Sequence, residues 1–350
     1  MVLYKEKALA LHKNNIVIDA HLDLGGIIFD KKRKGESRII EANYLDCFRK
    51  GGFDFIVAAV YVESIFIPEM ALHVALDQVN DIIEEIEACS DNLMLIKSSD
   101  DMDIALKDGK IGIIISMEGA DPILNDLDLL TIFYRLGVRG LGLTWSRRNY
   151  VADGSYFGDP EEGARGGLTP FGIQVIKKAE EIGMFLDASH LNDEGFDDLF
   201  KHTKKPFIAS HSNARDLNHI RRNLNNDQIK AITERNGVIG LNAYKSIVSQ
   251  HKDQQNIGRI CDHIEHIILE SSDSNIGFGF DLCNLLFSAG TGVDVLDNHG
   301  ESLKITEELF KRGHSEETLT KIIGGNFYRF FKSVLAKHSD NVEHLRRQSL

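Results

Sequence analysis

Histidine and carboxylate residues recur directly after short apolar runs of this sequence. The residues in these positions are His21, Asp23, Glu118, His190, His211 and Asp281. Neutral imidazole and carboxylate together suit zinc, and suit manganese or iron less well. Two zinc ions ~3.5–4 Å apart can hold a water as hydroxide and polarise a substrate carbonyl. The residue types therefore predict metal-assisted hydrolysis.

The spacing of these residues favours one shared site. Residues two apart in a strand point the same way, so His21 and Asp23 can hold one ion together. His190 and His211 are separated by about one loop–helix–strand unit, which predicts that they lie on neighbouring strand ends. Glu118 can then bridge two ions. A lone histidine is more often an ordinary hydrogen-bonding residue, and Asp281 alone could cap a helix; the combination favours a metal site.

The apolar runs predict the elements that position these side chains. Continuous hydrophobic runs are typical of parallel strands buried on both faces. Eight such runs are Ile16–Ala20, Phe53–Val62, Ile111–Met117, Val138–Thr144, Met184–Ala188, Pro206–Ala209, Val238–Ala243 and Ile276–Phe280. The helical patterns between them are Ala71–Cys89, Leu127–Leu136, Pro170–Ile182, Glu265–Leu269 and Leu303–Lys311. This alternation predicts an α/β protein with a (β/α)₈ barrel, in which strand ends converge on one face. An open doubly wound sheet is the alternative.

Composition limits the cellular context. We expect residues 1–350 to form a single barrel domain, with an active-site loop at about 149–167 and a polar C-terminal tail from Lys337. The net charge of −13 argues against nucleic-acid and anionic-membrane partners. The four cysteines form no C-x-x-C pair, and no apolar run suggests a signal peptide or membrane helix. These features predict a cytoplasmic protein.

The motifs resemble those of the membrane (renal) dipeptidase family of zinc peptidases, family M19, from about Ile16 to Phe330. The matching motifs include V-I-D-A-H-L-D-L at Val17–Leu24, M-E-G at Met117–Gly119, L-G-V-R at Leu136–Arg139, G-L-T-P-F-G at Gly167–Gly172, L-D-A-S-H at Leu186–His190, S-H-S at Ser210–Ser212, R-R-N at Arg221–Asn223 and G-F-G-x-D at Gly277–Asp281. Singly these motifs are weak, but their order and spacing are specific. The resemblance also implies the metallo-dependent hydrolase type of barrel and a homodimer.

The resemblance implies a role for each site residue. His21 and Asp23 would bind the first zinc ion, His190 and His211 the second, and Glu118 would bridge the two. Asp281 would hydrogen-bond the nucleophilic water or the substrate amine and carry a proton to the leaving nitrogen. Arg222 corresponds to the family's substrate-binding arginine, which would engage a carboxylate or polarised carbonyl. Without the resemblance, Arg222 would be interpreted as a solvated surface charge.

Two positions depart from the family pattern. The family's renal members have histidine where this chain has Trp145, in the motif Leu143-Thr144-Trp145. That histidine donates to the developing oxyanion, and the indole N–H cannot replace it in the same way. Trp145 could instead line the substrate pocket or pack against the long loop. Cys283 stands where the family often has a second aspartate, which reduces the negative charge near the site.

The sequence thus predicts a dinuclear zinc dipeptidase in which a metal-bound hydroxide attacks the peptide carbonyl of a dipeptide, L,D-dipeptides included. One alternative is another amidohydrolase that acts on an N-acyl amino acid, a lactone or a cyclic amide, because the same attack serves all of these substrates. A second alternative is a non-catalytic metal-binding protein.

Overall fold

The computed structural model describes residues 2–156, 165–286 and 292–337. In this part of the chain, parallel strands alternate with helices. The strands are β1 Ile18–Leu22, β2 Phe55–Tyr61, β3 Leu93–Leu95, β4 Ile111–Glu118, β5 Val138–Gly142, β6 Phe185–Asp187, β7 Ile239–Leu241 and β8 Ile276–Phe278. Hydrogen bonds join them in the order β6-β5-β4-β2-β1-β8-β7, and β3 pairs with β4 at the edge of this path.

The ring of strands closes through residues 207–209. Ile208 bridges to Asp187 of β6 and Ala209 bridges to Ile239 of β7, both in parallel. The Ala188 amide donates to the Ile208 carbonyl at 2.7 Å, and the Gly240 amide donates to the Ala209 carbonyl at 2.7 Å. The sixth predicted run, Pro206–Ala209, therefore occupies a strand position, although it is too short to form a regular ladder. The predicted barrel is confirmed, and the short β3 was not predicted.

Burial on both faces explains the continuous hydrophobic runs. Every residue of β4 is buried. Along β2, Phe55 and Val57 pack into one apolar cluster, while Ile56, Ala58 and Val60 pack into another on the opposite face. Phe327, Phe330 and Phe331 near the C-terminus also pack into the cluster of Phe55 and Val57, and they cover this end of the barrel. The opposite end is left open for polar side chains.

The helices surround the strands. They are α1 Val2–Asn14, α2 Leu24–Arg33, α3 Ile39–Asn43, α4 Leu45–Gly51, α5 Ala71–Ala88, α6 Ser99–Asp108, α7 Asp128–Leu136, α8 Pro170–Ile182, α9 Asp193–His202, α10 Asn226–Glu234, α11 Lys245–Val248, α12 Ile257–Glu270, α13 Ser302–Lys311, α14 Glu316–Thr320 and α15 Asn326–Val334. The π-helical turn Lys321–Gly325 joins the last two. All five predicted helices are present; α8 begins where Thr169 Oγ1 accepts the Gly172 amide at 3.0 Å.

Several expectations about chain context meet the structure only in part. None of the helices in the described ranges combines the length and apolar character needed to cross a membrane. All four cysteines are free. The active-site loop predicted at 149–167 is described except for residues 157–164, and the polar tail lies outside the described residues from residue 338 onward.

Candidate metal centre

The carboxyl ends of the strands bring the predicted ligands into one buried cluster. His21 lies on β1, Asp23 precedes α2, and Glu118 is the last residue of β4. His190 follows β6, and His211 follows the 207–209 segment. All five are at most 8% exposed, so their polar atoms must find partners inside the protein. Asp281 joins the cluster after β8 and has a φ of +56°, a left-handed conformation that is uncommon for a residue with a Cβ.

Glu118 lies between two groups of ligand atoms. Its Oε2 is 3.6 Å from Nε2 of His21, which in turn is 3.5 Å from Oδ1 of Asp23. Its Oε1 is 2.9 Å from Nε2 of His190 and 3.5 Å from Nε2 of His211. The two oxygens of one carboxylate therefore face different halves of the cluster. This is the arrangement that a bridging carboxylate requires.

Three ligand atoms of the first half have no hydrogen-bond partner among the described residues. They are Nε2 of His21, Oδ1 of Asp23 and Oε2 of Glu118, and all three are buried. Buried polar atoms are normally paired, and three unpaired ligand atoms facing one point are the donor set that a bound cation would satisfy. Two donors bound to one zinc ion at 2.0–2.1 Å in tetrahedral geometry lie about 3.3–3.4 Å apart. The observed separations of 3.5 and 3.6 Å fit that spacing closely.

The ionisation of the cluster also suits a cation. Burial lowers the pKa of His190 and of His211 well below the ordinary value. The next largest cause is the positive charge of Arg222 for His190 and that of His21 for His211. His190 and His211 are therefore neutral imidazoles, the form that binds metal. Burial also disfavours the charged form of His21, but the negative charge of Glu118 outweighs it and raises the pKa of His21 well above the ordinary value, so that a cation would take the place of its Nε2 proton. Burial, followed by the Asp23 charge, raises the pKa of Glu118 to about 8 and that of Asp281 to about 6. A bound cation would relieve this repulsion between carboxylates.

Neighbouring polar groups hold the predicted ligands in place. Ser146 Oγ is 2.8 Å from Nδ1 of His190, and Ser210 Oγ is 2.7 Å from Nδ1 of His211. Asn242 Nδ2 donates to Oδ2 of Asp281 at 2.8 Å. Such partners fix the orientation of ligand side chains. Ser146 and Asn242 were not predicted; Ser210 lies inside a quoted motif but was given no role.

The remaining predicted residues line a cavity of about 390 Å³ above the cluster. Its wall includes Arg222 and Trp145 together with Tyr61, Ile65, Tyr244, Ile247 and Leu286. Arg222 is 3% exposed, with Nη1 donating to Ser212 Oγ and Nη2 to the His211 carbonyl, both at 2.9 Å. The aromatic residue Tyr61 was missed as a site residue, although it ends β2 directly opposite Glu118 in register. Tyr61 lies inside the predicted run Phe53–Val62, so a search for histidines and carboxylates after each run passed over it.

Trp145 forms a fixed aromatic wall of this cavity. Its ring centroid is 5.2 Å from that of Tyr61 and 5.9 Å from that of His190. The Arg147 guanidinium lies 5.2 Å from the Trp145 ring, and its Nη2 donates to the Val62 carbonyl at 2.7 Å. Trp145 lines the cavity, and Gly154 of the long loop closely approaches the backbone carbonyl of Trp145.

Cys283 lies beside the first half of the cluster. Its Sγ is 3.6 Å from Oδ1 of Asp281 and 3.8 Å from Oδ2 of Asp23. Burial, followed by the Asp281 charge, raises the pKa of the thiol well above its ordinary value. Cys283 is therefore a neutral hydrogen-bond donor beside two carboxylates, in place of the third negative charge that an aspartate would add.

Comparisons with known proteins agree with this geometry. The sequence profile of "Membrane dipeptidase (Peptidase family M19)" matches residues 5–344. Dipeptidase verJ of Clonostachys rogersoniana is 28% identical over 335 residues, which is 95% of this chain and 80% of that protein. Dipeptidase 3 of Rattus norvegicus is 26% identical over 339 residues, covering 94% of this chain and 67% of that protein.

Two solved structures share the whole fold. The dipeptidase AC, a metallopeptidase of family M19, superposes with a TM-score of 0.81 at 25% identity over 92% of this chain and 99% of its own. A metallopeptidase from Rhodobacter sphaeroides, liganded with a phosphinate mimic of the dipeptide L-Ala-D-Ala, gives a TM-score of 0.79 at 25% identity over 91% and 99%.

Proposed function

The chain belongs to the membrane dipeptidase family, peptidase family M19, and we propose that it is a dinuclear zinc dipeptidase. The family makes it a metallo-dipeptidase; the number and identity of the ions are our proposal. The observation that carries it is Glu118, whose two oxygens face two separate sets of buried ligand atoms. His21 and Asp23 would hold one ion, His190 and His211 the other.

Each side chain at the cavity has a distinct part in the proposed hydrolysis. Two zinc ions, when bound, supply an activated water and polarise the peptide carbonyl. Asp281 accepts a proton and delivers it to the leaving nitrogen; Oδ1 is the oxygen that can take it, since Oδ2 accepts from Asn242 at 2.8 Å and Oδ1 has, among the described residues, only the weaker thiol donor of Cys283 at 3.6 Å. Arg222 binds the substrate carboxylate through its planar guanidinium group. The aromatic wall of Tyr61, Trp145 and Tyr244 excludes water and receives an apolar side chain.

We further propose that L,D-dipeptides are among the substrates. The support is the Rhodobacter sphaeroides metallopeptidase, whose bound ligand mimics L-Ala-D-Ala. We also propose a cytoplasmic location, because a reducing compartment keeps cysteines as free thiols, the state of all four here. We propose a homodimer on the basis of the family resemblance.

Turnover by zinc-loaded protein tests the function. The assay measures hydrolysis of matched L,L and L,D dipeptides, an N-acyl amino acid, a lactone and a cyclic amide, alongside the zinc content per chain. We expect two ions per chain and dipeptide hydrolysis. Metal with turnover of only the N-acyl amino acid, the lactone or the cyclic amide would favour another amidohydrolase. Metal without any turnover would favour the non-catalytic metal-binding protein, and a chain that takes up no metal would refute the proposal.

A further inference from the structure

One hydroxyl group lies between imidazole rings from the two halves of the ligand cluster. Ser210 Oγ is 2.7 Å from Nδ1 of His211 and 3.4 Å from Nδ1 of His21. The two rings are stacked with their centroids 3.6 Å apart. We propose that Ser210, held by Asp187, is a positioning residue that fixes the tautomer of both histidines and thereby supports both ion sites. This inference rests on the proposed dinuclear function.

The proton count determines the tautomer. A serine hydroxyl has one proton to donate, and Ser210 donates it to Oδ2 of Asp187. Its oxygen can then only accept from the imidazoles, so Nδ1 of His211 and Nδ1 of His21 must each carry a proton. With a cation bound, each imidazole is neutral, and its other nitrogen, Nε2, then has a free lone pair. Both Nε2 atoms consequently present lone pairs toward Glu118, in the form that binds metal.

Asp187 cannot easily release this hydroxyl. Its Oδ1 accepts the backbone amides of Ser189 and Ser210, both at 2.9 Å. Asp187 is 5% exposed and Ser210 is 2% exposed, so water does not compete for these bonds. The Asp187 carboxylate thus links β6 to the 207–209 segment and also orients the Ser210 hydroxyl.

Two glycines hold the Ser210 backbone near the barrel axis. A Cβ at Gly240 would lie 1.8 Å from the Ser210 carbonyl oxygen, and one at Gly279 would lie 1.7 Å from it. No side chain fits at either position without moving this backbone. This close approach places the Ser210 hydroxyl within reach of His21 on β1 and of His211 after the 207–209 segment.

His190 provides an internal comparison. Its Nδ1 is bonded to Ser146 Oγ at 2.8 Å, and no other histidine shares that hydroxyl among the described contacts. Loss of the Ser146 hydroxyl should therefore affect one ion, whereas loss of the Ser210 hydroxyl should affect both. Ser302 is the control, because it is a buried serine whose Oγ has no hydrogen-bond partner among the described residues.

The experiment measures stepwise zinc affinity by competition with a chromophoric chelator, with circular dichroism to verify folding. Second-layer partners of metal ligands typically contribute 10–100-fold to affinity. We expect Ser210→Ala to weaken both binding steps by at least about tenfold, Ser146→Ala to weaken one, and Ser302→Ala to stay within about twofold of wild type. Ser210→Thr, which keeps the hydroxyl, should recover most of the affinity.

A second readout reports on the hydrogen bonds directly. In zinc-loaded protein, the Nδ1–H proton resonances of His21 and His211 should shift upfield in Ser210→Ala, while that of His190 stays in place. A folded Ser210→Ala that binds both ions as wild type does, or that loses only one step, would overturn the inference. A wild-type chain that binds fewer than two ions would instead contradict the dinuclear centre itself.

Discussion

Replacing Asp281 by asparagine separates proton transfer from metal binding. The amide is nearly isosteric with the carboxylate, and its oxygen can still accept from Asn242, which donates at 2.8 Å. What is lost is the ability of Oδ1 to take a proton. General acid–base assistance is worth ~10²–10⁴-fold in rate, or about 3–5 kcal/mol of activation free energy. Asp281 Oδ1 is 3.9 Å from Nε2 of His21, but Asp281 is not one of the five proposed ligands, so the ions should stay bound.

The assay compares kcat/KM for one dipeptide at saturating zinc, with metal content measured on the same samples. Asp294→Asn is the control. Asp294 is buried beside the site, and burial, followed by the Asp281 charge, raises the pKa of its carboxyl to about 8, so at neutral pH the amide replaces an already neutral group. We expect a loss of 10²–10⁴-fold in Asp281→Asn and less than about threefold in the control. Near-normal turnover of Asp281→Asn with two bound ions would show that another group carries the proton.

Three further changes test other parts of the structure. Glu118→Ala should lose both ions, because neither half-site keeps enough ligands. The control Glu63→Ala, which removes another carboxylate of the cavity wall, should keep both ions. Elemental analysis measures the metal content, and full occupancy in Glu118→Ala would refute the bridging role of Glu118. Trp145→His should raise turnover of a simple dipeptide or shift preference toward smaller, more polar side chains, since a lost oxyanion donor is worth ~10²–10³-fold elsewhere. Specificity constants that agree within about twofold over a matched dipeptide set would make Trp145 a purely structural residue. His12→Gln tests a buried histidine whose pKa is lowered to about 4, mainly by burial, and whose ring bonds the Gly51 carbonyl and Thr306. The folded state disfavours the protonated form, so this contribution to stability is present above pH 6.5 and is lost as the pH falls toward 4. Between pH 7.5 and 4.5, metal-free wild type should therefore lose about 2–3 kcal/mol more unfolding free energy in urea than His12→Gln does, and equal pH profiles would contradict it.

The barrel was predictable because parallel strands leave a simple trace in the sequence. Burial on both faces makes β4 a continuous apolar run, and the residue that ends it, Glu118, then lies at the active-site end of the barrel. The sixth strand position, by contrast, is held by only two isolated bridges, so its register follows from its neighbours and not from its own residues. The edge strand Leu93–Leu95 is too short to stand out in any hydrophobic pattern.

The supporting residues of the site were harder to predict, since their roles depend on contacts far apart in the chain. Ser210 reaches His21 across 189 residues, and Asn242 reaches Asp281 across 39. Arg222 lies in a loop with no strand pattern to orient it, so without the family resemblance it was indistinguishable from a surface charge. In the buried position, Arg222 donates hydrogen bonds to Ser212 and to the His211 carbonyl, and only the fold brings these partners within reach.

The local charge of the site differs from that of the whole molecule. The chain carries a net charge of −13, which taken alone would disfavour an anionic substrate. Around the cavity, however, the carboxylates of Asp23, Glu118 and Asp281 would face two divalent cations and the buried Arg222 guanidinium. With both ions bound, positive charge would exceed negative charge among these groups by two units; Glu63, the other carboxylate of the cavity wall, is exposed and therefore screened by solvent. Buried charges are weakly screened, so this excess would act on a substrate at close range. A loaded site should therefore favour substrates with a free carboxylate over their amides, as a dipeptidase requires.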